Sequence, residues 1–155
     1  MRRPIYLLGL LLLVASGTIF YRTDTAPAED TPPDATFGGV SLTLELAANT
    51  EARTRGLGGR SHLPKDHAML FVFAEADRYG FWMKDMLFSI DMFWLDDKGQ
   101  VVHLEEDVSP ETYPDVFYPM VPARFVLETN AGFALEHSIT IGTPLVLKNS
   151  PTVSK

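Results

Sequence analysis

Six residues carry side chains whose type and spacing could bind or transform a small molecule: Arg60, Trp82, Lys84, Asp91, Arg124 and Glu128. Lys84 stands in the stretch FWMKDM, residues 81–86. Read as a strand, that stretch alternates faces. Phe81, Met83 and Asp85 then point one way, and Trp82, Lys84 and Met86 the other. Each face holds one charge among large apolar groups. Asp91 lies between Ile90 and Met92 in a run that is otherwise apolar on both faces. A carboxylate buried there without a partner is costly, so it should be paired or neutral. Arg124 and Glu128 share one face of a third strand, with Val126 between them.

Three arrangements fit these residues. One is an ion-pair network that fixes strand order. Another is a polar pocket lined by Trp82 that takes an anionic or sugar-like ligand. The third is a catalytic pair. The expected geometry is that Lys84 points with Trp82 into a partly buried polar site, where Asp91, with Arg60 or Arg124, neutralises it. Asp85, on the opposite face, is expected at a strand end, open to water.

Other chemistries find less support. Trp82 and Trp94 could form a stacking platform for sugars, though residues of this kind more often fill a core. Met83, Met86, Met92 and Met120 with His103 form a soft donor set for Cu(I), but Met83 and Met86 have opposite strand parity. His62, His67, His103 and His137 show no zinc spacing. Glu105, Glu106 and Asp107 lack the calcium-loop pattern. Ser61, Ser89 and Ser109 lie in no nucleophile elbow. The residues call for no cofactor.

The elements that must position these side chains are mostly short strands. SLTLELA (41–47) alternates cleanly, MLFVF (69–73) reads as a buried strand, and ARFVLETN (123–130) and TPLVL (143–147) as two more. SIDMFWLD (89–96) and QVVHLEED (100–107) flank the turn Asp97-Lys98-Gly99, a hairpin signal. NTEARTRGL (49–57) is a helix candidate capped by Asn49 or Thr50 and ended by glycines. FALEHS (133–138) could be one helical turn, and Pro110 to Pro122 a long loop. The pattern predicts an all-β domain with minor α content: an antiparallel β-sandwich or a partly closed, jelly-roll-like barrel with one or two short helices.

The chain has 155 residues, room for one domain and a tail. Hydrophobic residues make up 46% and charged ones 21%, enough for a real core. A net charge of −7 argues against a nucleic-acid partner, because phosphate binding needs a basic stripe. The absence of cysteine excludes disulfides, thiol catalysis and thiolate metal sites. Arg2 and Arg3 precede an uncharged run from Pro4 to Tyr21, so residues 1–21 read as a signal peptide or signal anchor. Residues 22–36 are a proline-rich linker, 37–148 the β domain and 149–155 a disordered tail. This organisation predicts an extracytoplasmic protein, periplasmic or on the cell surface, secreted or held in the membrane by its N-terminal segment alone. Its expected partner is a small polar ligand or a cell-envelope component.

The segments RTRGLGGRSHL (53–63), AMLFVF (68–73), FWMKDM (81–86), SIDMFWLDDKGQVV (89–102), ARFVLETNAG (123–132) and ITIGTPLVL (139–147) together resemble the domain-of-unknown-function family 192, small secreted or membrane-attached bacterial and archaeal domains. Arg60, Trp82, Met83, Lys84, Asp91, Arg124 and Glu128 match its pattern. Gly58, Ala68, Asp85, Met86, Ser89 and Ile90 depart from it. The resemblance implies an all-β, jelly-roll-like fold and no established activity. The class expected from the residues is a binding or accessory module; the alternative is a hydrolytic or metal-assisted enzyme.

Overall fold

The computed structural model describes residues 34–148. The signal or anchor segment, most of the linker and the tail lie outside the described residues. In chain order the elements are β1 (Asp34–Phe37), β2 (Val40–Ala47), α1 (Thr50–Arg55), β3 (His67–Asp77), β4 (Ile90–Leu95), β5 (Val101–Val108), a 3-10 turn (Pro110–Thr112), β6 (Ala123–Asn130), α2 (Phe133–Glu136) and β7 (Leu145–Leu147). β1 takes in residues 34–36, which composition alone assigned to the linker. Short and apolar only at Ala35 and Phe37, it becomes a strand by pairing with both β2 and β7.

The strands form one seven-stranded sheet in the order β5-β4-β6-β3-β2-β1-β7. All neighbours run antiparallel except β2 and β3, which are parallel. The expected antiparallel sheet is therefore mixed. A parallel pair needs a long crossover, and residues 48–66, carrying α1, supply it. The sheet curls until its edges meet at one corner. There Val101 N–H donates to Thr143 O at 3.0 Å, Gly142 N–H to Val101 O at 2.7 Å and Leu145 N–H to Gly99 O at 2.9 Å. The result is the partly closed barrel, and the bonds cover an edge that would otherwise template aggregation.

Both faces of the sheet are buried. One carries Phe37, Leu42, Leu44, Leu70, Phe93, Leu95 and Leu127, plugged by Phe133 of α2. The other carries Met69, Phe71, Met92, Trp94 and Val126, covered by Leu57, Met83 and Met86. All six residues of β4 are buried, as expected for a strand covered on both sides. The turn at 97–99 forms as the sequence predicts. Gly99 has φ 76°, and the Asp96 carboxyl accepts from Lys98 N–H at 2.8 Å and Gln100 N–H at 2.9 Å.

Asp91 faces the plugged interior. The Cα register pairs it with Thr129, on the side opposite Met92. Its Oδ2 accepts from Ala134 N–H at 2.8 Å, and its Oδ1 from Asp107 N–H at 2.8 Å and Gly132 N–H at 3.2 Å. Gly132 stands at the N-cap of α2 and has no side chain to cap it. Asp91 caps α2 from the sheet instead. The pairing with Lys84 and Arg60 or Arg124 expected from the sequence is thus corrected. Backbone amides satisfy Asp91 on the opposite face. Asp91→Ala leaves one buried donor, Ala134 N–H, and two part-buried ones, Asp107 N–H and Gly132 N–H, without a partner; at about 1–3 kcal/mol for the buried donor and less for the other two, it should destabilise the domain by roughly 2–4 kcal/mol. Asp85→Ala, at an exposed turn, loses no buried contact and should cost only about 1 kcal/mol, from placing alanine at φ 58°. Denaturant melts of both variants check this, and a neutral Asp91→Ala would contradict the capping role.

Candidate functional site

The stretch FWMKDM is not a strand. Only Phe81 pairs, in an antiparallel bridge to Phe117. Trp82 to Met86 then turn back, with Met86 N–H donating to Met83 O at 3.2 Å and Asp85 at φ 58°. A turn breaks the period of two. Met83 and Met86 both go inward and join one core cluster, while Trp82, Lys84 and Asp85 face outward. Gly59 N–H donates to Asp85 O at 2.8 Å and ties this turn to the end of α1.

Between that turn, α1 and the sheet lies an open cleft of about 220 Å³. The sequence places each wall. Asn49 caps α1 by accepting from Ala52 N–H at 2.8 Å, and Glu51 and Arg55 suit the helix dipole. Gly56, at φ 51°, ends the helix beneath Phe71, where a Cβ would come within 3.3 Å of the ring. Phe71, Phe73, Tyr79 and Phe81 make the aromatic wall. Phe71 and Phe81 meet edge to face at 4.8 Å, and Phe73 stacks on Tyr79 at 3.6 Å. Trp94 is core; its indole N–H donates to Tyr79 O at 2.9 Å and holds that wall from behind. It does not pair with Trp82 as a platform.

Glu128 forms the floor. It is 4% exposed, and its Oε2 is buried without a hydrogen-bond partner. The Cα register sets it between Met69 of β3 and Met92 of β4. Burial pushes its carboxyl up to about 8, against a smaller opposing pull from Arg60. Arg60 does not neutralise it, because both terminal nitrogens of its guanidinium donate to Glu45, each at 2.8 Å. The same hydrogen bonds hold the Glu45 carboxyl below, and Arg60 above, their ordinary values.

The mouth is cationic. Arg55 and Lys84 line it, and the Lys84 ammonium lies 5.9 Å from the Trp82 ring centre. Lys84 is exposed, not enclosed as the strand reading required, and no carboxylate lies within 4.0 Å of it among the described residues. Arg53 is committed to structure, donating to Ala48 O and Val72 O.

Of the six residues singled out by sequence, Trp82, Lys84 and Glu128 line this cleft. Arg60 acts on it through space. Asp91 is on the other face. Arg124 sits four residues along β6 from Glu128, about 13 Å away, beside Asp97 at 3.8 Å. The expected single constellation is therefore one group at the cleft and two outliers, Asp91 and Arg124. Sequence reasoning missed Arg55, Phe71 and Phe81 at this site. The Gly56-Leu57-Gly58 signal that ends α1 was visible, but not what it packs on. The copper set does not assemble either: Met83, Met86 and Met92 are core, whereas Met120 is exposed and His103 bonds Glu105 at 3.1 Å.

The fold is that of a small, curled β domain, and its site is a cleft over a buried acid. Residues 34–147 match the family DUF192, described as Uncharacterized ACR. The chain belongs to that family. No curated protein matches it. Two solved structures are similar. One is a protein from Sinorhizobium meliloti 1021 described as a candidate transcription regulator, with 28% identity, TM-score 0.69, and coverage of 74% of this chain and 91% of that one. The other is a protein of unknown function from Novosphingobium aromaticivorans DSM 12444, with 24% identity, TM-score 0.68, and coverage of 74% and 82%.

Two outcomes follow from the floor. The folded chain holds the Glu128 proton up to about 8, whereas the unfolded chain releases it near 4.5. The stability linked to that proton is complete below about pH 4.5 and is lost as pH rises through about 8. Glu128→Gln should remove this slope. It should be the more stable protein at about pH 9, by a few kcal/mol at about 1.4 kcal/mol per pH unit between the two values, and differ little at about pH 4. Chemical denaturation across pH tests it; parallel profiles for the two proteins would refute it. Arg60→Gln removes the one pull that lowers Glu128. Carbonyl NMR titration should find Glu128 higher still and Glu45 released toward its ordinary range.

Proposed function

We propose that the domain is a binding module whose cleft takes a small anionic or sugar-like ligand. The observation that carries this reading is the unpartnered, buried Oε2 of Glu128 at the floor of an open cleft. Buried polar groups are almost always satisfied, so an unsatisfied acid among the residues that line a cleft invites a ligand atom. The volume of about 220 Å³ is below the range of roughly 300–1,000 Å³ typical of sites for drug-sized molecules. It suits one sugar ring. Arg55 and Lys84 at the mouth favour an anion, and the aromatic wall with Trp82 favours a ring face.

Binding is preferred to hydrolysis because the cleft offers one acid and no second carboxyl, histidine or serine on its walls. The Thr54 hydroxyl already donates to Thr50 O at 2.8 Å. Acid–base catalysis needs a partner within reach. We further propose that the domain works outside the cytoplasm, delivered by Arg2-Arg3 and the apolar run from Pro4 to Tyr21. The net charge of −7 speaks against nucleic acid as its partner, whatever the described role of a structural neighbour.

Native mass spectrometry of the purified domain with cell-envelope extract should show a retained small molecule. Ligand addition should also shift the fluorescence of exposed Trp82, and Trp82→Phe should abolish the shift while buried Trp94 still emits. No retained species together with an unresponsive Trp82 would overturn the reading.

A further inference from the structure

Resting on that reading, we infer that Glu128 binds as a neutral acid, donating its proton to the carbonyl of an acyl group, and that the ligand is an N-acylated amino sugar bearing an acidic substituent. Three observations converge on this class. The first is the floor. Glu128 opens into a space whose nearby lining includes Phe71, Phe81 and Met86. A hydroxyl-rich edge entering there would bury donors that nothing on those side chains accepts. An acyl group brings one acceptor for the acid and an apolar methyl for the rings. The second is the wall: Phe73 and Tyr79 stack on each other and Arg53 lies over Phe73, so exposed Trp82 is the ring on the cleft best placed to meet a sugar. The third is the mouth, where Arg55 and Lys84 can meet a carboxylate or phosphate. Arg55 has only Glu51 near it, at 4.0 Å on the exposed helix surface, so its guanidinium is available.

The protonation state follows from what surrounds the acid. Met69 and Met92 flank it on both neighbouring strands and carry no charge. On β2, Glu45 is paired with Arg60, and His67 of β3 stands 3.9 Å from Glu45. On β5, Glu105 is bonded to His103. From α1 come Arg53, held by backbone carbonyls, and Arg55. From the turn comes Lys84, and Tyr79 lies in the wall. No cation bonds the Glu128 carboxyl among the described residues. An acid so placed keeps its proton at neutral pH and can offer it to an acceptor. Once ionised, it would meet a carbonyl oxygen with like partial charge.

Isothermal titration with N-acetylmuramic acid, N-acetylglucosamine 6-phosphate, N-acetylglucosamine and muramic acid tests this, at about pH 6 and about pH 9.5. The first two separate a carboxylate from a phosphate as the acidic group. The wild type should bind one or both, should bind N-acetylglucosamine and muramic acid at least tenfold more weakly, and should lose roughly thirtyfold of its affinity at the higher pH, the fall in the neutral fraction of an acid ionising near 8. Glu128→Gln keeps an N–H donor. It should bind several-fold more weakly at about pH 6 and show no such loss at about pH 9.5, with thermal melts confirming that it is folded. Binding that does not change with pH, a Glu128→Gln profile like the wild type, or equal binding of the deacylated sugar would overturn the inference and leave the cleft a binding site. Failure of all four sugars to bind would overturn the inference, and the cleft reading would fall with it only if envelope extract also yields no retained molecule and leaves Trp82 fluorescence unchanged.

Discussion

The structure depends on one constraint: a single sheet is buried on both faces, so every polar side chain in its central strands must find a partner inside the protein. β4 and β6 lie side by side as interior strands, and each holds a carboxyl. Asp91 and Glu128 point to opposite faces and meet the constraint in opposite ways. Asp91 receives three backbone N–H groups and closes the start of a four-residue helix that could not stand alone. Glu128 receives none at Oε2. The first carboxyl holds the fold together; the second is a cost to it.

The cleft above Glu128 exists because the cover on that face is not continuous. The crossover between parallel β2 and β3 must pass over the sheet, and it does so as a short helix that glycine stops early. The turn at 82–86 comes from the other side. At Gly58 a Cβ would lie 3.1 Å from the Arg55 carbonyl and 3.3 Å from that of Lys84. The two covers therefore touch at one seam and part beyond it. Phe81 is pinned by its pair of backbone hydrogen bonds to Phe117, at 2.9 and 2.8 Å, so the aromatic wall cannot fall in to fill the gap.

The sequence made most of the fold legible because period-two alternation and turn chemistry are local. β2, β4, β5 and β6 lie within a residue or so of where alternation put them, and the 97–99 hairpin and the Asn49 cap are where their residue types demand. Two things were not local. The parallel pairing of β2 with β3 depends on where the crossover lands. The edge closure between residues 99–101 and 142–145 depends on the curl of the whole sheet. The candidate site suffered most from one wrong period. Phe-Trp-Met-Lys-Asp-Met alternates in polarity well enough to pass for a strand, and only the left-handed Asp85 reveals the turn. That error put Lys84 and Asp91 in one pocket. Glu128 was legible as sharing a strand face with Arg124, but its isolation was hidden, because the partner that takes up Arg60, Glu45, stands two strands away in the sheet.

Arg60 makes the argument sharper. The charge of its guanidinium is felt by both Glu45 and Glu128, but both terminal nitrogens go to Glu45, in the bidentate geometry that is strongest for this pair. Both partners are about one-third exposed, so the pair gains little for stability. The arrangement leaves the acid neutral and its buried Oε2 without a partner. As far as folding alone is concerned, a leucine or methionine would serve better between Met69 and Met92. A carboxyl kept there at a cost of some kcal/mol is an arrangement that packing alone does not explain, and it is on this that the proposed binding role rests.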